Sequence, residues 1–323
     1  MMKVLRVLLV AVAAFGSALA GAQEFPSGTV RLVVPYPAGG GVDGMARPIA
    51  ERLTKLWQKP VVIDNKAGGS TIIGSDAVAK SVPDGLTLLF TSDSSITSNP
   101  HLFASMPFDP IKDLVPVTQL IDLHQMVVVH PSVTANTLQE LVSQAKARPN
   151  QFNYGSYGAG SQPNLLFESL RVQTGAQIAH IPYKGIAPAL AATLAGEVQM
   201  TLGGAATTSG HMASGRMKAL AIGRAQRLPQ HPNVPTLREA GYPDVDPRSW
   251  FGIFAPRGTP RAIVEKIRND VVRVITEPEF DAREITGKGY TAVGSTPDEF
   301  AAFVKADLEY KGKMIKSAGI KAE

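Results

Sequence analysis

The segment at residues 30–47 joins a strand, a glycine-rich loop and a helix, and it constrains the fold more than any other stretch. Apolar residues at 30 and 32–34 precede Pro35, which predicts a short strand. Three glycines, Gly39 to Gly41, then remove the Cβ atoms that would hold a ligand away from the backbone. We expect Asp43 to cap the following helix, because apolar residues recur there at helical spacing.

The start of this helix is a candidate anion site. Backbone N–H groups at a helix start have no partner within the helix, and the helix dipole places positive charge there. A glycine-rich turn between two core elements would show the same pattern, so both interpretations stay open at this point. No Walker A string and no Gly-x-Ser-x-Gly elbow occurs in the chain. The small and hydroxyl residues of its loops therefore suit binding better than catalysis.

The order of strand, polar loop and helix recurs along the chain. Apolar runs at 61–63 and 86–90 precede polar loops at 65–70 and 91–95. A second group of such units begins with the strand and small-residue loop at 152–161. Units of this kind predict α/β lobes with mainly parallel sheets, in which the loops after the strands gather at the edge where ligands bind.

Two features indicate more than one lobe. About 300 residues follow the N-terminal segment, which is long for a single core. The segment 115–130 is apolar and extended over more residues than one strand usually has. We therefore expect it to cross between two lobes.

Residues 1–22 have the pattern of a secretory signal peptide. Lys3 and Arg6 precede an apolar run at 7–15, which is shorter than the ~20 residues of a membrane span. Small residues fit a cleavage site near Ala22, so we expect a soluble, periplasmic mature chain. The chain has no cysteine, so its stability has to come from its core rather than from disulfides.

Charge and motif content exclude several classes of function. The formal net charge is +5 with Lys and Arg scattered along the chain, which does not fit a nucleic-acid-binding protein. The six histidines are not spaced as metal ligands, so we expect no metal and no cofactor. A secreted hydrolase that uses Ser156 or Ser161 is the alternative to a binding protein. No histidine motif places a base beside either serine.

Six segments carry a resemblance to a known family, and they occur in one order over the whole mature chain: YPAGGGVDGMAR, PDGLTLLF, NYGSYGAGS, HIPYKGIAPAL, WFGIFAPRGTP and GSTPDEFAAFVKADL. Together they resemble the Bug family, the extracytoplasmic solute receptors of tripartite tricarboxylate transporters. The resemblance implies an α/β, two-lobed periplasmic-binding-protein clamshell (type II-like), each lobe a mixed, mainly parallel sheet flanked by helices. Residues 23–125 and 248–323 would form the first lobe and residues 126–247 the second.

The resemblance further implies a receptor rather than an enzyme, without catalytic residues. It would capture a small carboxylate between the lobes and deliver it to the membrane subunits of the transporter, and we expect it to be a monomer. One end of the ligand would bind backbone amides of the first glycine loop, and the other end would bind the loop of the second lobe. The expected ligand-binding residues are Tyr36, Pro37, Ala38, Gly39, Gly40, Gly41, Asp43, Thr91, Ser92, Ser94, Ser156, Gly158, Ser161, Tyr183, Lys184, Gly203 and Gly204.

The chain departs from the family pattern at one strand end. Many members end this strand with Phe-Asp, whereas here Leu202 is followed by Gly203 and Gly204, and Gln199 stands where Asp is common. The loss of a carboxylate removes a partner for a ligand ammonium group and is expected to enlarge the pocket. We therefore expect a carboxylic acid without an amine, either a di- or tricarboxylate or a bulky aromatic acid.

Overall fold

The computed structural model describes residues 25–320, so the predicted signal peptide and its cleavage site lie outside the described residues. Strands and helices alternate along this part of the chain. The strands are β1 (Val30–Val34), β2 (Val61–Asn65), β3 (Thr87–Ser92), β4 (Leu114–Leu123), β5 (Gln125–Val129), β6 (Phe152–Ser156), β7 (Ile178–Pro182), β8 (Met200–Gly204), β9 (Lys218–Ile222), β10 (Ser249–Pro256) and β11 (Tyr290–Ala292). The helices are α1 (Gly41–Trp57), α2 (Ile72–Ala79), α3 (Asn99–Leu102), α4 (Leu138–Ala147), α5 (Gln162–Thr174), α6 (Ile186–Ala195), α7 (Ala205–Ala213), α8 (Arg261–Ile275), α9 (Pro278–Phe280) and α10 (Pro297–Ser317).

The strands form two sheets that share one internal order. The first sheet runs β11-β4-β10-β3-β1-β2 and the second runs β7-β6-β8-β5-β9. In each sheet three strands are parallel, and the next strand, β10 or β5, is antiparallel to both of its neighbours. Parallel pairing is therefore limited to one part of each sheet, so both sheets are mixed, although four strands of each sheet run in the same direction. The reason is the chain path, because β10 and β5 are the strands that enter each lobe from the other one.

The chain passes between the two sheets twice. β4 ends at Leu123 and β5 begins at Gln125, so His124 alone separates a strand of the first sheet from a strand of the second. The segment 115–130 therefore crosses between the lobes, as expected. The return passage runs through residues 223–248, between β9 and β10. The lobe boundaries at single-residue precision stay a prediction.

Helices cover both faces of each sheet. In the first lobe α1 and α8 pack on one face and α2 and α10 on the other, where Trp250 and Phe300 meet edge to face with ring centroids 5.2 Å apart. In the second lobe Tyr154 stacks on Phe167 at 4.6 Å. These cores fix the strands, and thereby the loops at their ends. Between residues 25 and 320, no helix combines the length and the apolar composition of a membrane span.

Candidate functional site

The loops singled out in the sequence all follow the carboxyl ends of strands. Residues 36–41 follow β1 and residues 93–94 follow β3, its neighbour in the first sheet. Residues 157–161 follow β6, residues 183–184 follow β7, and residues 203–204 end β8, three adjacent strands of the second sheet. The structure thus gathers the expected residues at two sheet edges, one in each lobe, where α/β folds bind ligands.

The glycine loop leads directly into α1. The helix begins at Gly41 with Gly40 as its N-cap, so the prediction that Asp43 is the N-cap is wrong. Gly44 donates the first backbone bond of the helix, to Gly40 O at 2.8 Å. Among the bonds formed within residues 25–320, none uses the amide hydrogen of Gly41 or Val42. Gly41 is exposed and its N–H is open to a ligand, whereas Val42 is 7% exposed and its N–H lies directly behind it at the start of the helix.

Asp43 fixes the shape of this loop from inside the lobe. It is 1% exposed, and its Oδ2 accepts from the Gly39 N–H and from Arg47 Nε, both at 2.8 Å. Its Oδ1 accepts from Asn65 Nδ2 at 2.9 Å. Burial raises the pKa of Asp43, but the bonds from Arg47, Gly39 and Asn65 outweigh burial and hold that pKa below its usual value. The carboxylate is therefore ionised and already satisfied within its own lobe.

A cluster of hydroxyl groups lies beside the loop, at the end of β3. Tyr36 Oη is 2.7 Å from Ser92 Oγ and 3.3 Å from Ser95 Oγ. Thr91 is fully buried, with its Oγ1 2.5 Å from Ser95 Oγ. Ser94 is half-buried, and its N–H donates to Ser92 Oγ at 3.3 Å. Burial raises the pKa of Tyr36, so the cluster contributes neutral hydroxyls beside the start of α1.

The loop after β6 is folded around Ser156. Its Oγ accepts from the Gly158 N–H at 3.0 Å and lies 2.5 Å from His180 Nε2. Ser161 is the N-cap of α5, yet its Oγ donates to Gly158 O at 2.6 Å instead of accepting from the helix. Gly158 has a φ of +120°, a conformation that other residues rarely adopt. Ser156 and Ser161 therefore shape the loop that leads into α5.

His180 lies beside Ser156 but is not among the expected ligand-binding residues, although it begins the segment HIPYKGIAPAL. It is the parallel register partner of Tyr154, and the two rings stack 4.9 Å apart. Burial lowers the pKa of His180, so the imidazole is neutral. Ser156 is fully buried, and within the described part of the chain no carboxylate bonds to His180. The pair thus lacks both the substrate access and the orienting acid that a serine hydrolase uses.

The remaining expected residues lie at the ends of β7 and β8. Tyr183 is half-buried and its N–H donates to Ser156 O at 2.8 Å, whereas Lys184 is exposed. Gly203 is buried, and a Cβ there would collide with Thr208 Cγ2. The expected enlargement of the pocket at Gly203 is therefore wrong, because Thr208 fills that space. Gly204 is half-buried, is the N-cap of α7, and has room for a side chain.

A buried polar network joins the two lobes. Asp93, directly after β3, accepts from Ser249 Oγ on Oδ1 at 2.8 Å and from Gln162 Nε2 on Oδ2 at 2.7 Å. Gln162 is the first residue of α5 and also accepts from Tyr157 Oη, so the bond to Asp93 links the lobes. Lys311 Nζ of α10 lies 3.1 Å from Asp93 Oδ2, and both side chains are fully buried. We call Asp93, Gln162, Ser249 and Lys311 the interlobe network.

One sequence feature indicates this network. Lys311 and Asp307 are four residues apart on the buried face of α10. A charged residue at a core-facing position predicts a buried partner of opposite charge, because an unpaired charge there is very costly. Since Lys311 neutralises Asp93, the charge of this acid is not free for a ligand.

The chain forms two α/β lobes joined by two crossing segments, and helix starts and polar loops lie at the edges of both sheets. This arrangement defines a solute-binding protein of the clamshell type. Within the described residues, no three His, Asp or Glu side chains cluster as a metal site requires. The chain belongs to the tripartite tricarboxylate transporter receptor family, which matches residues 45–320. Members of this family are receptors and not enzymes, so the hydrolase alternative has no support.

Similar proteins agree with this assignment. Protein BugT of Bordetella pertussis is 35% identical to this chain over 99% of both sequences, which confirms the resemblance to the Bug family. The structure of R. palustris Rpa4515 with adipate has 32% identity and a TM-score of 0.83, covering 93% of this chain and 100% of that one. MatC (Rpa3494) from Rhodopseudomonas palustris with bound malate has 28% identity and a TM-score of 0.79, covering 90% and 100%. The expected clamshell fold is confirmed.

Proposed function

We propose that this receptor binds a small carboxylate without an amine between its lobes in the periplasm, as a monomer, and delivers it to the membrane subunits of a tripartite tricarboxylate transporter. The observation that carries the proposal is that the amides of Gly41 and Val42, at the positive end of α1, have no partner within residues 25–320. Asp43 holds the loop that presents them. A carboxylate is the acceptor that such charge-assisted donors favour. The adipate and malate in the two related structures belong to the same chemical class.

The second lobe would bind the other end of the ligand. The helices α5, α6 and α7 all begin at its carboxyl edge, so the positive ends of three helix dipoles lie together there. Exposed Lys184 stands two residues before α6 and adds a formal positive charge. We assign this end of the site to the loop 156–161, Tyr183, Lys184 and Gly204. A dicarboxylate that touches both lobes would favour their closure.

The interlobe network supports a ligand without an amine. Asp93 is the acid adjacent to the hydroxyl cluster, but it is fully buried and paired with Lys311. Asp43 is occupied by Arg47. A ligand ammonium in a partly desolvated cleft needs a charged partner, and neither carboxylate is free to serve. We therefore expect an amino acid to bind less tightly than the matching dicarboxylate.

Titration calorimetry on the mature protein tests this function with adipate, malate, benzoate, citrate, glutamate and aspartate. A ligand at 100 times its Kd stabilises a protein by about 2.7 kcal/mol, so a thermal-shift screen can precede the titrations. Saturable binding of a carboxylate, with weaker binding of glutamate and aspartate, is the expected result. Binding of no carboxylate in the panel would refute the function. Tightest binding of an amino acid would refute the proposed ligand class alone.

A further inference from the structure

We give the name crossing strands to β10 and β5, by which the chain enters each lobe from the other one. A second gap between the lobes lies on the side of the crossing strands that faces away from the proposed ligand cleft. It is a cavity of about 310 Å³, which we call the rear cavity, and its lining includes Asp122, His124, Arg224, Asp246 and Arg248. In the first sheet β10 lies between β4 and the strands β3 and β1, whose loops face the cleft. In the second sheet β5 lies between β9 and the strands β8 and β6, whose loops face the cleft from the other side. The crossing strands β10 and β5 therefore separate the rear cavity from the proposed ligand cleft.

Two opposite charges line the rear cavity, one from each lobe. Asp122 lies near the end of β4, and its Oδ1 accepts from Gln119 Nε2 at 2.5 Å. Arg224 follows β9 in the other lobe. Within residues 25–320 neither side chain forms an ion pair in this conformation, the shortest ion pair of the lining being Arg248 with Asp246 at 2.6 Å. Burial raises the pKa of Asp122 to about 6, and Arg248 and Arg224 are nearby charges that oppose the rise.

The other charged groups of the lining are already occupied. Arg248 donates from Nε to Asp246 Oδ2 at 2.8 Å and lies over the ring of Tyr310, 4.4 Å from its centroid. His124 is buried, which lowers its pKa to about 4 and keeps the ring neutral, and its Nε2 lies 2.8 Å from Thr291 Oγ1. Arg224 is therefore the lining cation that is available to Asp122.

On the opposite side of the crossing strands the lobes are in contact. Gln162 reaches Asp93 there, and Gly160 packs against Leu102 so closely that no Cβ would fit at Gly160. The rear cavity lies on the other side of β10 and β5 from this contact. We therefore expect a rotation around the passage at His124 that separates the lobes at the cleft to narrow the rear cavity. Such a rotation brings the end of β4 closer to the end of β9.

We propose that Asp122 and Arg224 form an interlobe ion pair when the rear cavity narrows, and that this pair stabilises the open state of the receptor. Ligand capture then has to break the pair, so the pair weakens the apparent affinity for the ligand. Removal of either charge should tighten binding about threefold, in the range expected for a partly exposed ion pair. The inference rests on the proposed function only in treating the cleft as the ligand site.

A disulfide in place of the ion pair tests the proposal directly. The chain has no cysteine, so Asp122→Cys with Arg224→Cys introduces a single possible disulfide. We expect it to form under mild oxidation of the ligand-free protein and to increase the radius of gyration in small-angle X-ray scattering. Adipate should slow its formation, and the oxidised protein should bind adipate only after reduction. A disulfide that does not form, or that forms without a change in scattering, would overturn the proposal.

Charge-removing variants provide a second test that does not depend on the disulfide. Asp122→Asn and Arg224→Gln should each lower the Kd for adipate about threefold, and the double variant should be no tighter than the singles. Arg238→Gln, at an exposed arginine of the same lobe, is the matched control and should leave the Kd unchanged. If Arg238→Gln lowered the Kd for adipate equally, the change would come from the net charge of the protein, and the proposed ion pair would be wrong. Should the wild type not bind adipate, the ligand assignment fails, while disulfide formation and scattering still decide on the ion pair.

Discussion

Lys311 Nζ lies 3.1 Å from Asp93 Oδ2, and both side chains are shielded completely from solvent. Lys311 also donates to Arg248 O at 2.9 Å, and Asp93 accepts from Ser249 and Gln162. The additional hydrogen bonds offset part of the cost of removing both charges from water. The pair thereby ties α10 and the loop after β3 in the first lobe to the first residue of α5 in the second.

Replacement of Lys311 by Met should destabilise the protein strongly. Asp93 would remain as a buried charge without a cation, and the loss of one partner of a buried pair typically costs about 3–5 kcal/mol. The free energy of unfolding from urea denaturation measures the effect. Asp93→Asn with Lys311→Met should recover part of the loss, and Lys305→Met, at an exposed lysine of the same helix, should change little. Equal losses in the single and double variants would contradict the pair.

Replacement of Gly41 by Val should abolish ligand binding while preserving the fold. No atom lies within 4 Å of a Cβ placed at Gly41, so the branched side chain fits the protein but blocks the approach of a ligand to the unpartnered amides of Gly41 and Val42. We expect the Kd for the best carboxylate to rise about 100-fold, equivalent to two hydrogen bonds of about 1.4 kcal/mol each. Titration calorimetry gives the Kd and circular dichroism reports the fold.

The position of this substitution matters. Gly39 is unsuitable because its φ of +82° would strain any side chain. Gly210→Val in α7 is the matched control, since its Cβ would also meet open space. If Gly41→Val bound the ligand as tightly as the control, the glycine loop would be no more than a turn.

Replacement of Gly204 by Asp should shift the preference from dicarboxylates towards amino acids. The new carboxylate has room, lies at the edge of the site, and occupies an N-cap position that favours Asp. It would repel the second carboxylate of the ligand and provide a partner for an ammonium group. The ratio of the Kd values for glutarate and glutamate should change about tenfold. Gly204→Asn is the control of equal size. If it changed the ratio of the two Kd values equally, the charge of the new carboxylate would not be the cause of the shift.

The stability of the protein should depend on the protonation of Asp122. Its folded pKa of about 6 lies above the usual value of about 3.9, so the folded state binds this proton more tightly than the unfolded state. The contribution to stability is fully present below about pH 4 and is lost as the pH rises through 6. In protein saturated with adipate, in which the rear cavity stays wide and Asp122 is unpaired, Asp122→Asn should therefore raise the melting temperature at pH 7.5 by a few degrees and change it little at pH 4. The same shift at both pH values would contradict the raised pKa.

Local patterns were sufficient to predict the loops, and non-local contacts explain what was missed. The strand before Pro35 and the glycines after it could be read from neighbouring residues alone. The start of α1 differs from the prediction because Asp43 accepts tertiary bonds from Arg47 and Asn65 and does not cap the helix. The contacts of Gln162 with Asp93 and of His180 with Ser156 join residues 69 and 24 positions apart. Contacts over such separations depend on how strands and lobes assemble, which local spacing does not encode.

The passage between the lobes at His124 has a consequence for ligand length. A single residue spans at most about 3.6 Å, so the two sheets cannot draw apart at this point and can only tilt around it. Ala205 N–H donates to His124 O at 3.1 Å and holds the passage from the side of the second lobe. The separation of the two sheet edges in the closed state is thus set by the backbone at this passage, and we expect the receptor to select acids by their length. Insertion of one residue at this passage should change the length of acid that the receptor prefers. It should leave the contacts of each end of the ligand with its own lobe unchanged.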